Sequence, residues 1–255
     1  MKKTMKKIFI KNSYGEQLAG VFYSNRNSKR LVIFCHGRLV TKDHDFYPEL
    51  CRKLSESGFN TYRFDFSGNG ESGGKFEKCT ISKDIEDIKS VVDFFKKRGY
   101  EISCLIGHSQ GAVEILLHQS KYNSAKSVIG ISGLVDQRDM TTRKYTKAQI
   151  DELNKKGFTI IEYDDKKWNI PRKYFYDRAS YGDIRHKVKK IKAPILVFHG
   201  TDDEDIGYVN GEKMVEILKK KDTFISIKGA GHFYANPKHR KILFDSIVEW
   251  LAKKN

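Results

Sequence analysis

The chain has 255 residues, 39% of them hydrophobic and 12% aromatic, so one domain with a sizeable core is expected and wholesale disorder is excluded. It carries 48 Lys and Arg against 32 Asp and Glu, a formal net charge of +16, with the lysines spread along the chain rather than packed in one block. No nucleic-acid-binding module accompanies that excess, so a solvated lysine-rich surface is expected and nucleic acid is not an expected partner.

The start of the chain, Met1 to Ile10, has four lysines and only the apolar run Ile8-Phe9-Ile10, too short for a secretory signal. Residues 5–11 and 17–23 read as an opening hairpin that turns at Tyr14-Gly15. Leu31 to Cys35 is an unbroken apolar run, expected of a strand buried on both faces. A helix over 44–57 and a strand from Asn60 to Phe66 follow. Between Ser82 and Lys97, Ile85, Ile88, Val91, Val92 and Phe95 recur at helical spacing with charges between them, which predicts an amphipathic helix. A strand from Ile102 to Ile106, a helix over 110–120 and a strand from Ser127 to Ile131 continue the alternation. Further on, Ile195–Phe198 and Phe224–Ile227 supply two more strands, and a helix from His239 to Ala252 closes the chain. This rhythm predicts the α/β class, with a mostly parallel central sheet flanked by helices.

Residues 134–190 break the rhythm. Thr146-x-x-Gln149 reads as a capping box opening a helix through Lys155, and Phe158 to Trp168 as a hairpin turning at Asp164-Asp165. Pro171 suits the start of another helix. The stretch is expected to be an inserted cap, with residues 1–133 and 191–255 forming the core. No segment reaches the ~20 apolar residues that span a bilayer. The four cysteines, Cys35, Cys51, Cys79 and Cys104, have no metal-type spacing, and Cys35 and Cys104 sit in apolar runs. Reduced buried thiols and a cytoplasmic location are therefore expected.

The chemistry concentrates where a strand runs into Gly107-His108-Ser109-Gln110-Gly111 and then a helix. A serine on so sharp a turn is strained, its neighbours two residues either way must be small, and the helix N-terminus favours negative charge on a substrate oxygen. A serine hydroxyl needs a neutral imidazole to take its proton and an acid to orient that imidazole. His232, in Gly229-Ala230-Gly231-His232-Phe233, follows a strand and is the candidate base. The acid lies in Thr201-Asp202-Asp203-Glu204-Asp205; Asp203 is preferred, with Asp202 and Asp205 as alternatives. His36-Gly37 follows another strand, where a loop can aim a backbone N–H at the reacting carbonyl, so the amides of Arg38 and Gln110 are the candidate oxyanion donors. His36, Tyr145 and Trp168 are candidate substrate contacts, although His36 is better explained as fixing its loop. Cap aromatics such as Tyr163 and Tyr174 could also line an acyl site, the larger share of them packing the cap itself.

With these motifs in this order, the chain resembles the α/β-hydrolase superfamily along nearly its whole length. Within that superfamily, Arg63-Phe64-Asp65-Phe66-Ser67-Gly68-Asn69-Gly70-Glu71-Ser72-Gly73-Gly74 and Gly107-His108-Ser109-Gln110-Gly111 are similar to the corresponding stretches of cinnamoyl/feruloyl esterases and related small carboxylesterases. Those enzymes also carry an inserted subdomain where residues 134–190 stand, but commonly have a histidine at the position of Asn69 and an apolar or aromatic residue at that of Arg38. The resemblance implies a serine carboxylesterase working through an acyl-enzyme on a small-molecule ester, with no cofactor and no metal; a homodimer is compatible with it. The alternative is a serine aminopeptidase using the same triad, with Glu152, Glu162, Asp164 or Asp165 receiving an amino terminus. A non-enzymatic basic binding protein is the third reading, disfavoured because a scaffold needs no ordered serine, acid and histidine.

Overall fold

Alternation along one strand sets the layering of the molecule. In β3 (Arg30–Cys35), Leu31, Ile33 and Cys35 point into one apolar cluster, and Val32 and Phe34 into another, as the two-residue period of a strand requires. The computed structural model describes residues 4–25, 27–138 and 145–254. Around β3 it builds an eight-stranded sheet from β1 (Thr4–Lys11), β2 (Gln17–Ser24), β4 (Asn60–Phe64), β5 (Glu101–His108), β6 (Ser127–Ile131), β9 (Ile195–Gly200) and β10 (Thr223–Ile227). The order across the sheet is β1-β2-β4-β3-β5-β6-β9-β10; the pairings of β2 with β1 and β4 are antiparallel and every other neighbour is parallel.

Two helix layers cover this sheet. On one face lie α2 (Ile81–Lys96) and α3 (Gln110–Tyr122), which contribute Ile85, Ile88, Val92, Val113 and Leu117 to the first cluster. On the other lie α1 (Tyr47–Glu56) and the closing helix, contributing Tyr47, Leu50, Leu243, Ile247 and Leu251. The α1 helix begins at Tyr47, not at residue 44, because Pro48 fits only a first turn. The closing helix begins at Pro237 for the same reason, two residues before the predicted start.

Between β6 and β9 the chain leaves the main sheet. It forms α4 (Lys147–Lys156), a separate two-stranded sheet of β7 (Phe158–Tyr163) and β8 (Lys166–Pro171), then α5 (Arg172–Tyr181) and α6 (Arg185–Val188). The Thr146–Gln149 capping box is present in both directions. The hairpin turns at Asp164 and Asp165, both at positive φ (53° and 56°), the left-handed pair that a two-residue hairpin loop needs. Pro171 ends β8 and caps α5 from outside, so that helix starts one residue later than the sequence suggests. Residues 139–144 of this excursion lie outside the described residues. Leu39, Tyr145, Ile170, Tyr174 and Phe175 form a third apolar cluster, joining the excursion to the loop after β3.

After β9 a short helix, α7 (Val209–Val215), precedes β10, and α8 (Pro237–Lys254) is the closing helix. The α7 helix was not anticipated: Val209 and Val215 are both exposed, which leaves no apolar stripe to read. All four cysteines are free and buried. Among the described residues no helix is long and apolar enough to cross a membrane.

Candidate active site

Because β3, β5, β9 and β10 run parallel, the loops that leave their C-terminal ends gather at one edge of the sheet, where open α/β sheets bind ligands. Those loops carry His36-Gly37, Ser109, Asp203 and His232. At the end of β5 the backbone turns into α3 through Ser109, which sits at φ 56°, ψ −119°, a conformation strained for a side-chain-bearing residue. Its N–H donates to the Ile131 carbonyl at 2.8 Å, and its side chain does not cap the helix it opens. The flanking glycines are required by contact: a Cβ on Gly107 would stand 2.2 Å from the Gly111 carbonyl oxygen, and one on Gly111 would stand 2.4 Å from that of Cys35. The hydroxyl is thereby turned outward, into a cavity of about 220 Å³.

His232 lines the same cavity, without a hydrogen bond to Ser109 among the described residues. Its Nδ1 is 2.9 Å from Asp203 Oδ2, and Asp203 Oδ1 accepts the N–H groups of Asp205 (3.0 Å) and Ile206 (2.9 Å). Burial pushes the Asp203 carboxyl up, but the hydrogen bond and charge of His232, together with the Ile206 N–H, outweigh it and hold its pKa at about 2. Asp203 is therefore ionised and acceptor-only, so Nδ1 of His232 is the donor and Nε2 is left for the cavity. Of the other two acids, Asp202 takes the Thr201 hydroxyl at 2.8 Å, while Asp205 lines the cavity wall. His199 places Nε2 3.4 Å from Asp203 Oδ2, but burial pushes its pKa down to about 4, so it stays neutral beside the ion.

His108 fixes the backbone of His232. Its Nε2 lies 2.9 Å from the His232 carbonyl oxygen, which can only accept, so Nε2–H donates and Nδ1 accepts from Tyr47 Oη at 2.7 Å. Burial, then the nearby His232, pushes its pKa well down, which keeps this tautomer neutral.

The loop after β3 is held from below. His36 is buried, with Nε2 accepting the Phe66 N–H at 3.1 Å and Nδ1 donating to the Gly37 carbonyl at 2.7 Å. Phe66 is in turn set by Asp65, whose carboxylate takes the Lys42 N–H (2.7 Å), the Lys42 ammonium (2.9 Å) and the Glu71 N–H (3.0 Å). The Asp65–Ser72 stretch thus braces the loop. A Cβ built on Gly37 would lie 3.1 Å from that of Ser109, so this loop runs directly beside the elbow. The N–H groups of Arg38 and Gln110 have no acceptor among the described residues, and both residues line the cavity.

The excursion between β6 and β9 supplies much of the rest of the wall, through Leu134, Ile161, Tyr163 and Arg178. Neither Tyr145 nor Trp168 lines this cavity. Tyr145 Oη accepts from Arg38 Nη1 at 2.7 Å, and Trp168 packs on Phe76 at 4.6 Å between ring centroids. His36 lines only a smaller void of about 20 Å³ behind Arg38. Sequence reasoning missed Arg178 and named Tyr174 only as one cap aromatic among several; the two grip the Gln110 side chain, Tyr174 Oη donating to its Oε1 at 2.7 Å and Arg178 Nη1 at 3.2 Å. Nothing local in the sequence marks them, since their role exists only once α5 has docked on α3. Among the described residues no cluster of side chains could hold a metal ion.

A family model described as serine aminopeptidase, S33, matches residues 26–156. The chain is 24% identical over 197 residues to palmitoyl-protein thioesterase ABHD10, mitochondrial, of Mus musculus, a match covering 72% of this chain and 61% of that protein. It is 25% identical over 225 residues to alpha/beta hydrolase domain-containing protein 17B of Homo sapiens, covering 87% of this chain and 67% of that one. This chain thus spans about three fifths to two thirds of the length of these relatives. Among solved structures, Est1E from Butyrivibrio proteoclasticus with bound ferulic acid superposes with a TM-score of 0.82 over 97% of this chain and 98% of that one, at 23% identity.

Proposed function

Since this chain belongs to the serine aminopeptidase S33 family and has the α/β-hydrolase fold, we propose that it is a serine hydrolase cleaving carboxylic esters through an acyl-enzyme. The observation that carries the proposal is the strained Ser109 elbow opening into one cavity with His232, whose far nitrogen is held by an ionised Asp203. In the proposed reaction Ser109 Oγ attacks the ester carbonyl as His232 Nε2 takes its proton, and the oxyanion is received by the amides of Arg38 and Gln110. His232 then protonates the departing alcohol, and water attacks the acyl-enzyme with His232 again as base. The absence of a Ser109–His232 hydrogen bond is compatible with this, because such contacts commonly tighten only in the substrate complex.

The segment 134–190 is proposed as a cap over the acyl site, since Ile161, Tyr163 and Arg178 close the cavity from that side. A cavity of about 220 Å³ suits a small-molecule ester. One relative's name, a palmitoyl-protein thioesterase, and ferulic acid bound to a structural neighbour favour oxygen or sulfur esters. A cytoplasmic location belongs to the same proposal, supported by the four free buried thiols.

The family description favours a second reading, an aminopeptidase. A peptide amino terminus needs an acid in the site; Glu152, Glu162, Asp164 and Asp165 do not line the cavity, whereas Asp205, on the loop after β9, does. Glu162 is instead paired with Lys167 at 3.2 Å and Glu152 with Lys156 at 3.0 Å. Turnover of p-nitrophenyl butyrate, set beside amino-acyl p-nitroanilides, separates the two. Ester cleavage is expected to fall by roughly 10³-fold or more in Ser109→Ala; turnover unaffected by that change would overturn the serine mechanism.

A further inference from the structure

Two arginines, Arg38 and Arg178, line the Ser109 cavity. Among the described residues no carboxylate comes within 4.0 Å of Arg38 or Arg178. Their partners are neutral: Arg38 Nη1 donates to the Tyr145 hydroxyl at 2.7 Å, while Arg178 Nη1 donates to the Tyr174 hydroxyl at 2.8 Å and the Gln110 amide oxygen at 3.2 Å. Arg178 is only 2% exposed, and among the described residues its buried Nε has no hydrogen-bond partner. A guanidinium has five donors, so most of this pair's capacity is unused.

The nearest acids in the network, Glu114 and Asp84, lie beyond the Gln110 side chain, whose Nε2 donates to Glu114 Oε1 at 2.7 Å. Burial raises the Glu114 pKa to about 8, against the opposing pull of the Arg178 charge. A buried cation without an ion partner is costly, and at this cavity wall the fold tolerates one, Arg178, beside the half-buried Arg38. Both are fixed in place: Arg38 also lies over the Tyr174 ring, its Cζ 5.4 Å from the centroid. Such a pair is preorganised for a planar oxyanion, which a guanidinium binds through two parallel N–H donors. Asp205 lines the cavity too, on the loop after β9, so the anion is assigned to the wall beside Gln110.

Resting on the ester-hydrolase reading above, we propose that Arg38 and Arg178 form a carboxylate-binding subsite in the Ser109 cavity, and that the preferred substrates are esters with a free carboxylate a few atoms from the scissile carbonyl. The carboxylate could sit on the acyl or the alcohol side, and two matched pairs distinguish them. On the acyl side, p-nitrophenyl hemiglutarate is compared with p-nitrophenyl valerate. On the alcohol side, the butyrate ester of 4-hydroxybenzoate is compared with that of 4-hydroxybenzamide. In one arm the ratio of kcat/KM, anionic over neutral, is expected to be at least about tenfold. It should fall towards unity in Arg178→Gln and in Arg38→Gln, and be partly kept in Arg178→Lys, which retains the charge without the fork. A ratio near or below one in both arms of the wild-type protein, with ester turnover intact, overturns the carboxylate subsite and leaves the hydrolase reading standing. Where no ester is turned over and the hydrolase reading itself fails, binding of monomethyl glutarate to Ser109→Ala protein, measured by calorimetry, decides. Saturable binding weakened by Arg178→Gln supports the subsite, and no binding overturns it.

Discussion

Asp203 meets His232 through Oδ2 and gives Oδ1 to two backbone N–H groups, so both of its oxygens are committed by the loop that follows β9. Asn at this position could keep the shape but would present an amide to one of these donors, which favours the wrong imidazole tautomer. Asp203→Asn is therefore expected to lower kcat on p-nitrophenyl esters by about 10³–10⁴-fold with a much smaller change in KM. Asp202→Asn, which alters a carboxylate hydrogen-bonded to Thr201, is expected to leave kcat within roughly twofold. Equal losses in the two variants would remove Asp203 from the proposed triad. Its pKa of about 2 lies below the ordinary 3.8, so the ion persists through the pH range of such assays. The stabilisation it brings is present above pH 3.8 and is lost only as pH falls through about 2. Ser109, Asp203 and His232 were legible because each follows an apolar run at a small-residue or acid-rich turn. Among three neighbouring acids, only distance to the imidazole separates them. Arg178 was not legible, and Tyr174 only as one cap aromatic among several, since a lone arginine and a tyrosine on a polar helix carry no periodic or spacing signal.

The elbow works as an element because three backbones converge on it: the end of β5, the start of α3 and the loop leaving β3. A Cβ on Gly111 would stand 2.4 Å from the Cys35 carbonyl oxygen and 2.5 Å from that of His36, both backbone atoms of the strand and loop beside the proposed oxyanion amides. Neither can move aside as a flexible side chain could. Gly111→Ala is expected to destabilise the protein by roughly 2–4 kcal/mol in urea unfolding, an overpacking cost, and to reduce ester turnover per folded molecule. A variant within about 0.5 kcal/mol of wild type, with full turnover, would show that α3 can shift without loss. The inner strands β3, β5, β6 and β9 were readable because burial on both faces leaves nearly continuous apolar runs. The excursion between β6 and β9 was readable only as local pieces, a capping box and a two-residue hairpin turn. How those pieces sit over Ser109 depends on the apolar cluster that Leu39 shares with Tyr145 and Tyr174, a long-range contact that no local pattern encodes.

At the scale of the whole molecule, two effects of pH oppose each other. The chain carries a formal charge of +16, and raising the pH from 6 to 9 lowers its net positive charge and relieves self-repulsion, which favours the folded state. Against this stands the buried Asp84–Glu114 carboxyl pair beneath Gln110, where Asp84 Oδ1 and Glu114 Oε2 are both buried without another partner. Burial first, then the proximity of the two acids for Asp84, raises both pKa values, that of Glu114 to about 8 from an ordinary 4.5. The folded protein therefore binds more protons than the unfolded chain between those two values, and stability falls as pH rises through that window. The stabilisation is complete below about pH 4.5 and lost above about 8. Subtracting a variant from the wild type isolates this effect, because the surface charge is common to both. Glu114→Gln keeps an oxygen for the Gln110 amide and removes the titration. Its Tm relative to wild type should climb steadily from pH 5 to pH 8.5, by about 3 °C or more, the shift that roughly 1 kcal/mol brings in a domain of this size. A Tm difference that stays flat across that range would mean that the pair holds no proton of its own and that the charge of the surface alone sets the pH dependence.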